Sequence, residues 1–351
     1  MESRPKLLVV KRDKIGDLLL STPMLAHLRA SMPDSEIHVL ASDYNAWVLS
    51  GNPAIDRLWV FPRVRVGHQL RLRAAFEQMR LYRGLRREHF DVALVAQGED
   101  SPRALRRALW ARARRLVGYV EPRRMHSRHL TDPLEPPARC SEIERILGLL
   151  APLGIALPLE APEPRFVPSL AMTDFANAWL AERGIARGEF LVIGVGARKA
   201  RKRPSAAQAL RWARQVHERW SLKTVLVWTP GVGSNPVYPG DDRAVEHVLR
   251  ERPNHLVPYR GPVEETLGIV WNARASLFPD SGLMHFAAAS PGGVLGLFAE
   301  PPEFVERWAP AGGRSSWLSS ESGVAAIDDQ RILAALERML GPRRPERRAD
   351  G

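Results

Sequence analysis

The sequence predicts an α/β protein built on two parallel sheets, each wrapped by helices. Three observations carry this. Short apolar runs alternate with amphipathic helical runs from residue 7 onward, and a second series of the same kind starts at residue 190. Between them the chain is punctuated by Pro158, Pro162, Pro164 and Pro168, a density that marks a linker. At 351 residues there is enough chain for two domains with separate cores.

In the first series Leu7-Leu8-Val9-Val10 reads as a strand, bounded by Lys6 and Lys11. An amphipathic run over residues 17–30 follows as a helix. Further strands are expected at residues 36–40, 58–61, 91–96 and 116–119, the last after an arginine-rich helical stretch. Residues 141–150 read as a helix, ended by Ala151-Pro152-Leu153-Gly154-Ile155. In the second series strands are expected at residues 190–195, 224–228, 256–258, 275–278 and 294–298. Helices are expected at residues 205–219, 241–250, 263–273 and 283–289. The domains are thus expected to span residues 1–165 and 166–340. The tail 341–351, with four arginines and two prolines, is expected to be disordered.

Composition narrows the function. Hydrophobic residues at 45% and charged residues at 26% are those of an ordinary globular chain. Cys140 is alone and cannot form an intrachain disulfide, which fits a reducing compartment. The first apolar run is too short for a signal-peptide core or a membrane span, so a cytoplasmic protein is expected, compatible with peripheral contact at the inner face of the cytoplasmic membrane. The net charge of +12 is uneven: residues 63 to 115 hold fourteen arginines against five acids. Such a stretch is either a set of solvated helix faces or a seat for an anionic partner. A phosphorylated glycolipid suits it better than nucleic acid, because aromatic residues are only 7% and no nucleic-acid-binding signature is present.

The motif richest in chemistry is Phe278-Pro279-Asp280-Ser281-Gly282-Leu283-Met284-His285, where an apolar run, a polar turn and a helix start meet. The first N–H groups of a helix lack intrahelical partners and carry the positive end of its dipole, which suits a diphosphate. Gly282 permits close approach to the backbone. Gly194-Val195-Gly196-Ala197 begins like a dinucleotide fingerprint, but its next position is Lys199 instead of glycine. The loop Arg198-Lys199-Ala200-Arg201-Lys202-Arg203 then carries five cations in six residues before a helix. No phosphate-binding Gly-x-x-x-x-Gly-Lys-Ser/Thr loop exists. No histidine or carboxylate pair stands at metal-ligand spacing, and Asp-x-Asp is absent, so no metal site is expected. Ile15-Gly16-Asp17 turns from the first strand into the first helix, at the usual ligand face of such folds, where Asp17 on its own reads as a helix cap.

Two of these segments resemble the ADP-heptose:lipopolysaccharide heptosyltransferases of glycosyltransferase family 9. Residues Lys6 through Pro23 are similar to that family's opening, and Asp280-Ser281-Gly282-Leu283-Met284-His285 to its nucleotide-sugar turn. The likeness runs from residue 6 to about 310, specific at its ends and weak in its middle. It implies the GT-B architecture: two Rossmann-like domains facing across a cleft, the first holding the acceptor and the second an ADP-activated heptose. It implies Asp17 as general base, with Gly16 beside it, and an inverting displacement without metal, cofactor or covalent intermediate. Donor contacts are implied for Gly196, Ala197, Arg198 and Lys202 of the basic loop, for Asp280, Ser281, Gly282 and Leu283 of the turn, and for His285, which otherwise reads as a core residue. The ribose contact falls to Asp242, although the loop before it is longer than the family's and the family acid is commonly glutamate. The implied partners are the nucleotide sugar and an anionic lipopolysaccharide-core or related glycan acceptor. Two rivals stand beside this reading: a non-catalytic nucleotide-sugar-binding or scaffold protein of the same fold, and a basic nucleic-acid-binding protein.

Overall fold

The computed structural model describes residues 4–12, 14–66, 69–121, 128–233, 240–251 and 253–342. The chain divides into two compact units, Met1–Phe166 and Val167–Gly351. Most of the expected tail, residues 343–351, lies outside the described residues, as does Asp13.

The first unit contains β1 (Lys6–Val10), β2 (Glu36–Ser42), β3 (Arg57–Phe61), the two-residue pair β4 (Arg65–Val66) and β5 (Gln69–Leu70), then β6 (Val92–Val95), β7 (Arg115–Tyr119) and β8 (Asp132–Leu134). Its helices are α1 (Ile15–Leu19), α2 (Thr22–Ser31), α3 (Leu72–Arg87), α4 (Pro102–Ala111) and α5 (Glu142–Gly148). Six strands form one sheet in the order β3-β2-β1-β6-β7-β8, paired in parallel throughout. The helix expected over residues 17–30 is broken in two. Ser21 Oγ donates to Leu18 O at 2.6 Å and Thr22 Oγ1 to Leu19 O at 2.8 Å, closing α1 through its last carbonyls. Pro23 then occupies the first turn of α2, where its missing N–H costs nothing. β8 went unassigned because Asp132-Pro133-Leu134 is short and carries a proline, which only a sheet edge tolerates.

The second unit contains α6 (Leu170–Ala181), β9 (Phe190–Gly194), α7 (Ala206–Trp220), β10 (Lys223–Val227), α8 (Asp242–Glu251), β11 (Leu256–Tyr259), α9 (Val263–Asn272), β12 (Ala275–Pro279), α10 (Gly282–Ala288), β13 (Val294–Phe298), α11 (Pro302–Trp308), β14 (Ser316–Ser319) and α12 (Asp329–Leu340). Its sheet order is β11-β10-β9-β12-β13-β14, again parallel. β9 alternates between two cores. Phe190 and Val192 pack with Trp179 and Ile269 on one face, while Leu191 and Ile193 pack with Trp212 and Leu336 on the other. Strands buried on both faces need continuous apolar runs, which is why their sequences were legible.

Both sheets reverse direction of build-up at one place, between β1 and β6 in the first and between β9 and β12 in the second. Loops leaving the carboxyl ends of two such strands splay apart and leave a crevice, the usual ligand position in open α/β sheets. Among the described residues no helix is long and apolar enough to cross a membrane.

Candidate active site

In the second unit the basic loop follows β9 and the Asp280 turn follows β12, so the chain topology delivers both to the same switch point. Lys202 ends a single 3-10 turn, Ala200–Lys202, and its ammonium pairs with Asp280 across the gap between the two loops. Glu300, just beyond β13, completes the cluster: its Oε1 lies 3.5 Å from Lys202 Nζ, and its Oε2 pairs with Arg201. Arg201 and Lys202 together hold the Glu300 carboxyl below the usual carboxylate range. The Phe304 ring, 38% exposed, lies 5.5 Å from Lys202 Nζ. Glu300 and Phe304 were not foreseen, since nothing in Ala299-Glu300-Pro301 sets that acid apart.

Five adjacent cations fall into two groups. Arg203 donates from Nε to Ala197 O at 2.7 Å and pairs with Asp241 at 2.7 Å, so with Arg201 and Lys202 it is engaged within the protein. Arg198 and Lys199 are exposed and have no acidic partner among the described residues. Gly196 is needed by this arrangement, because a Cβ there would meet Asp241 Oδ2 at 2.5 Å. Burial pushes the Asp241 carboxyl up despite its pairing with Arg203.

Asp242 opens α8, as expected, and its carboxylate accepts from Trp228 Nε1 (2.8 Å), Gly231 N (2.9 Å) and both Arg260 Nε (3.0 Å) and an Arg260 terminal nitrogen (2.9 Å). Arg260 first, then Trp228, holds it well below the usual range. These bonds fix the loop after β10. Residues 234–239 of the preceding loop lie outside the described residues.

Ser281 is the N-cap of α10 in extended conformation, but its hydroxyl caps nothing: Oγ is buried and has no hydrogen-bond partner among the described residues. Gly282 and Leu283 supply the first N–H groups of that helix. His285 is buried at 5% exposure, with its ring 6.5 Å from that of Trp308.

In the first unit Gly16 is buried and Asp17 half-buried in α1. Asp17 Oδ2 accepts from Lys14 N at 3.1 Å, the bond of a residue that closes a helix start, and its Oδ1 has no partner among the described residues. At the end of β1 Lys11, 1% exposed, lies 3.9 Å from the buried Glu142 of α5. Glu142 accepts from Gly98 N at 3.2 Å, and Arg145 donates to Gly98 O at 3.1 Å. The loops after β1 and β6 are thereby tied to one helix. A buried ammonium requires such a partner. Lys11 after an apolar strand hinted at one, without indicating which acid.

Glu36, His38 and Glu88 bring ligand atoms within 4.8 Å of one another at the amino edge of the first sheet. Folding, not spacing, unites Glu88 with the other two. Their atoms are already engaged: Lys6 Nζ lies 3.3 Å from Glu36 and 3.0 Å from Glu88, Arg57 pairs with Glu88 at 2.8 Å, and Trp59 Nε1 donates to His38 Nδ1 at 3.1 Å.

Comparison with known proteins agrees with this layout. The sequence pattern of glycosyltransferase family 9 (heptosyltransferase) matches residues 78–326, a stretch that includes Lys202, Asp242 and the Asp280 turn and begins after Asp17. A family 9 glycosyl transferase from Veillonella parvula superposes with a TM-score of 0.81 at 17% identity, covering 97% of this chain and 98% of its own. The E. coli ADP-heptose LPS heptosyltransferase II gives 0.72 at 21% identity over 95% and 98%. E. coli heptosyltransferase WaaC with ADP gives 0.73 at 14% over 95% and 99%. No curated protein sequence matches the chain. The two sheets with their shared strand order and the extent of the family match lead to one conclusion: this chain belongs to glycosyltransferase family 9, the heptosyltransferases.

Proposed function

We propose that the protein transfers a heptose from ADP-heptose to a lipopolysaccharide-core or related anionic glycan acceptor, with inversion and without metal. The observation that carries this reading is the Lys202–Asp280 pair at the switch point of the second sheet, flanked by exposed Arg198 and Lys199 and by the start of α10. A diphosphate arriving there meets cations and unpaired helix N–H groups, which offset its charge as it becomes the leaving group. The buried Ser281 hydroxyl, lacking a partner, is suited to bond a donor oxygen. WaaC, similar in fold, has been solved with ADP, which supports a donor of this class.

Asp17 takes the proton of the acceptor hydroxyl as that oxygen bonds to the anomeric carbon; the bond from that carbon to the diphosphate oxygen breaks, and ADP departs with the electron pair. Gly16 leaves the turn uncluttered beside it. Asp280, once the diphosphate shares Lys202, can accept from sugar hydroxyls. Asp242 shares its carboxylate between Arg260 and the ribose.

The test is ADP release from ADP-heptose with an inner-core acceptor in saturating EDTA. Release is expected in wild type. Asp17→Ala is expected to lose it while holding ADP affinity within a few-fold, since a base acts mainly in the transition state. Near wild-type turnover by Asp17→Ala would remove Asp17 from the mechanism, and loss to EDTA restored by magnesium would overturn the metal-free reading. ADP binding without turnover on any acceptor would favour the scaffold rival.

A further inference from the structure

Between α3 and α4, on the flank of the first unit, lies a groove of about 680 Å³. Six arginines line it, Arg12, Arg83, Arg86, Arg103, Arg106 and Arg107, and no carboxylate does. Arg83, Arg103 and Arg106 are exposed, with no acidic partner among the described residues. Arg86 donates to the Trp110 carbonyl at 3.1 Å and Arg107 to the Tyr82 hydroxyl at 2.5 Å, neutral acceptors that leave both charges uncompensated. Burial and, less strongly, the neighbouring Arg12 make the Arg107 guanidinium easier to deprotonate than usual, as expected where like charges crowd.

The same face is greasy. Tyr82 and Trp110 stack with centroids 5.3 Å apart, and Met79 beside them is 50% exposed. Along α3, Leu72, Phe76, Met79, Arg83 and Arg86 recur at spacings of four, three, four and three, a single stripe that is apolar in its first half and basic in its second. Leu72 and Phe76 are 67% and 68% exposed. An amphipathic helix with uncompensated arginines beside exposed large apolar groups has the chemistry of an interfacial helix.

We propose that the α3/α4 face docks on a bilayer containing anionic phospholipid, its guanidiniums on headgroup phosphates and Leu72, Phe76, Met79 and Trp110 at the acyl boundary. The proposal does not depend on the donor-site reading. A soluble polyphosphate would satisfy the arginines but leave the apolar stripe in water. A single-stranded nucleic acid would need aromatic faces for its bases, whereas the Trp110 ring is engaged by Tyr82 and by Arg86, 4.9 Å from its centroid; a duplex, held through its phosphates, would leave the apolar stripe in water.

The experiment is co-sedimentation of the full chain with phosphatidylcholine vesicles, with and without phosphatidylglycerol. Binding is expected only with phosphatidylglycerol. The triple variant Arg83→Gln, Arg103→Gln, Arg106→Gln should partition about 100-fold more weakly, at about fivefold per basic residue. Leu72→Ser with Phe76→Ser should lower it at least about tenfold with charge unchanged. Replacing Arg187, Arg331 and Arg338, exposed in the second unit, by glutamine serves as the charge-matched control and should cost far less. Equal binding to pure phosphatidylcholine, equal loss in the control, or binding indifferent to Leu72 and Phe76 would overturn the proposal. That last result, joined to displacement by free polyphosphate or duplex DNA, would assign the groove to a soluble polyanion.

Discussion

Lys202 illustrates how a residue can be legible in type and not in setting. Its place in a basic loop before a helix was visible in the sequence, but its neighbours were not, because Asp280 and Glu300 lie 78 and 98 positions away and only the crossover after β9 brings them near. The setting changes the expected effect of mutation. In Lys202→Ala the Asp280 and Glu300 carboxylates remain, now facing a diphosphate without the cation between them. ADP affinity measured by calorimetry should fall by about 1.5–3 kcal/mol, more than for Arg198→Ala or Lys199→Ala, whose charges are exposed. If Arg198→Ala or Lys199→Ala costs more, the phosphate contact belongs to the exposed pair. Asp242 shows the opposite case: its position at a helix start was read correctly, while its four bonds to Trp228, Gly231 and Arg260 left no trace in local sequence.

The elements of both sheets were readable wherever a strand is buried on both faces, as at Leu7-Leu8-Val9-Val10 and Val294–Phe298. Of the four edge strands, β3 and β11 were readable, and β8 and β14 were not. Ser316–Ser319 sets only Trp317 and Leu318 between two serines, and Asp132–Leu134 spans three residues, so neither carries a burial pattern strong enough to stand out. The break between α1 and α2 was equally hidden, since Ser21, Thr22 and Pro23 interrupt an apolar periodicity that continues through them. The loop after β9 is the element on which the proposed donor site rests, and Gly196 tests it. Alanine there would press a methyl group against Asp241 Oδ2, which Arg203 holds in place with 2% of the side chain exposed. Gly196→Ala should destabilise the second unit by about 1–3 kcal/mol, lowering its thermal midpoint, with ADP affinity falling alongside. An unchanged midpoint would mean that Asp241 yields freely and that the loop is less constrained than its contacts indicate.

For the molecule as a whole, two copies of one sheet order, each reversing at a single point, give two crevices with different contents. The loops of the first carry Asp17 and the buried Lys11–Glu142 pair; those of the second carry cations, a helix start and an unpartnered hydroxyl. The proposed function assigns the carboxylate of one unit to the acceptor and the cations of the other to the donor. The excess of arginine over residues 63 to 115 was evident from composition, but only the packing of α3 against α4 shows that much of it gathers in one groove. The most direct test of the central claim is a crystal structure with ADP. The diphosphate is expected at the carboxyl edge of the second sheet, within hydrogen-bond distance of Lys202 and of the Ser281 hydroxyl or the N–H groups of Gly282 and Leu283. ADP bound anywhere else, with that crevice empty, would contradict that claim.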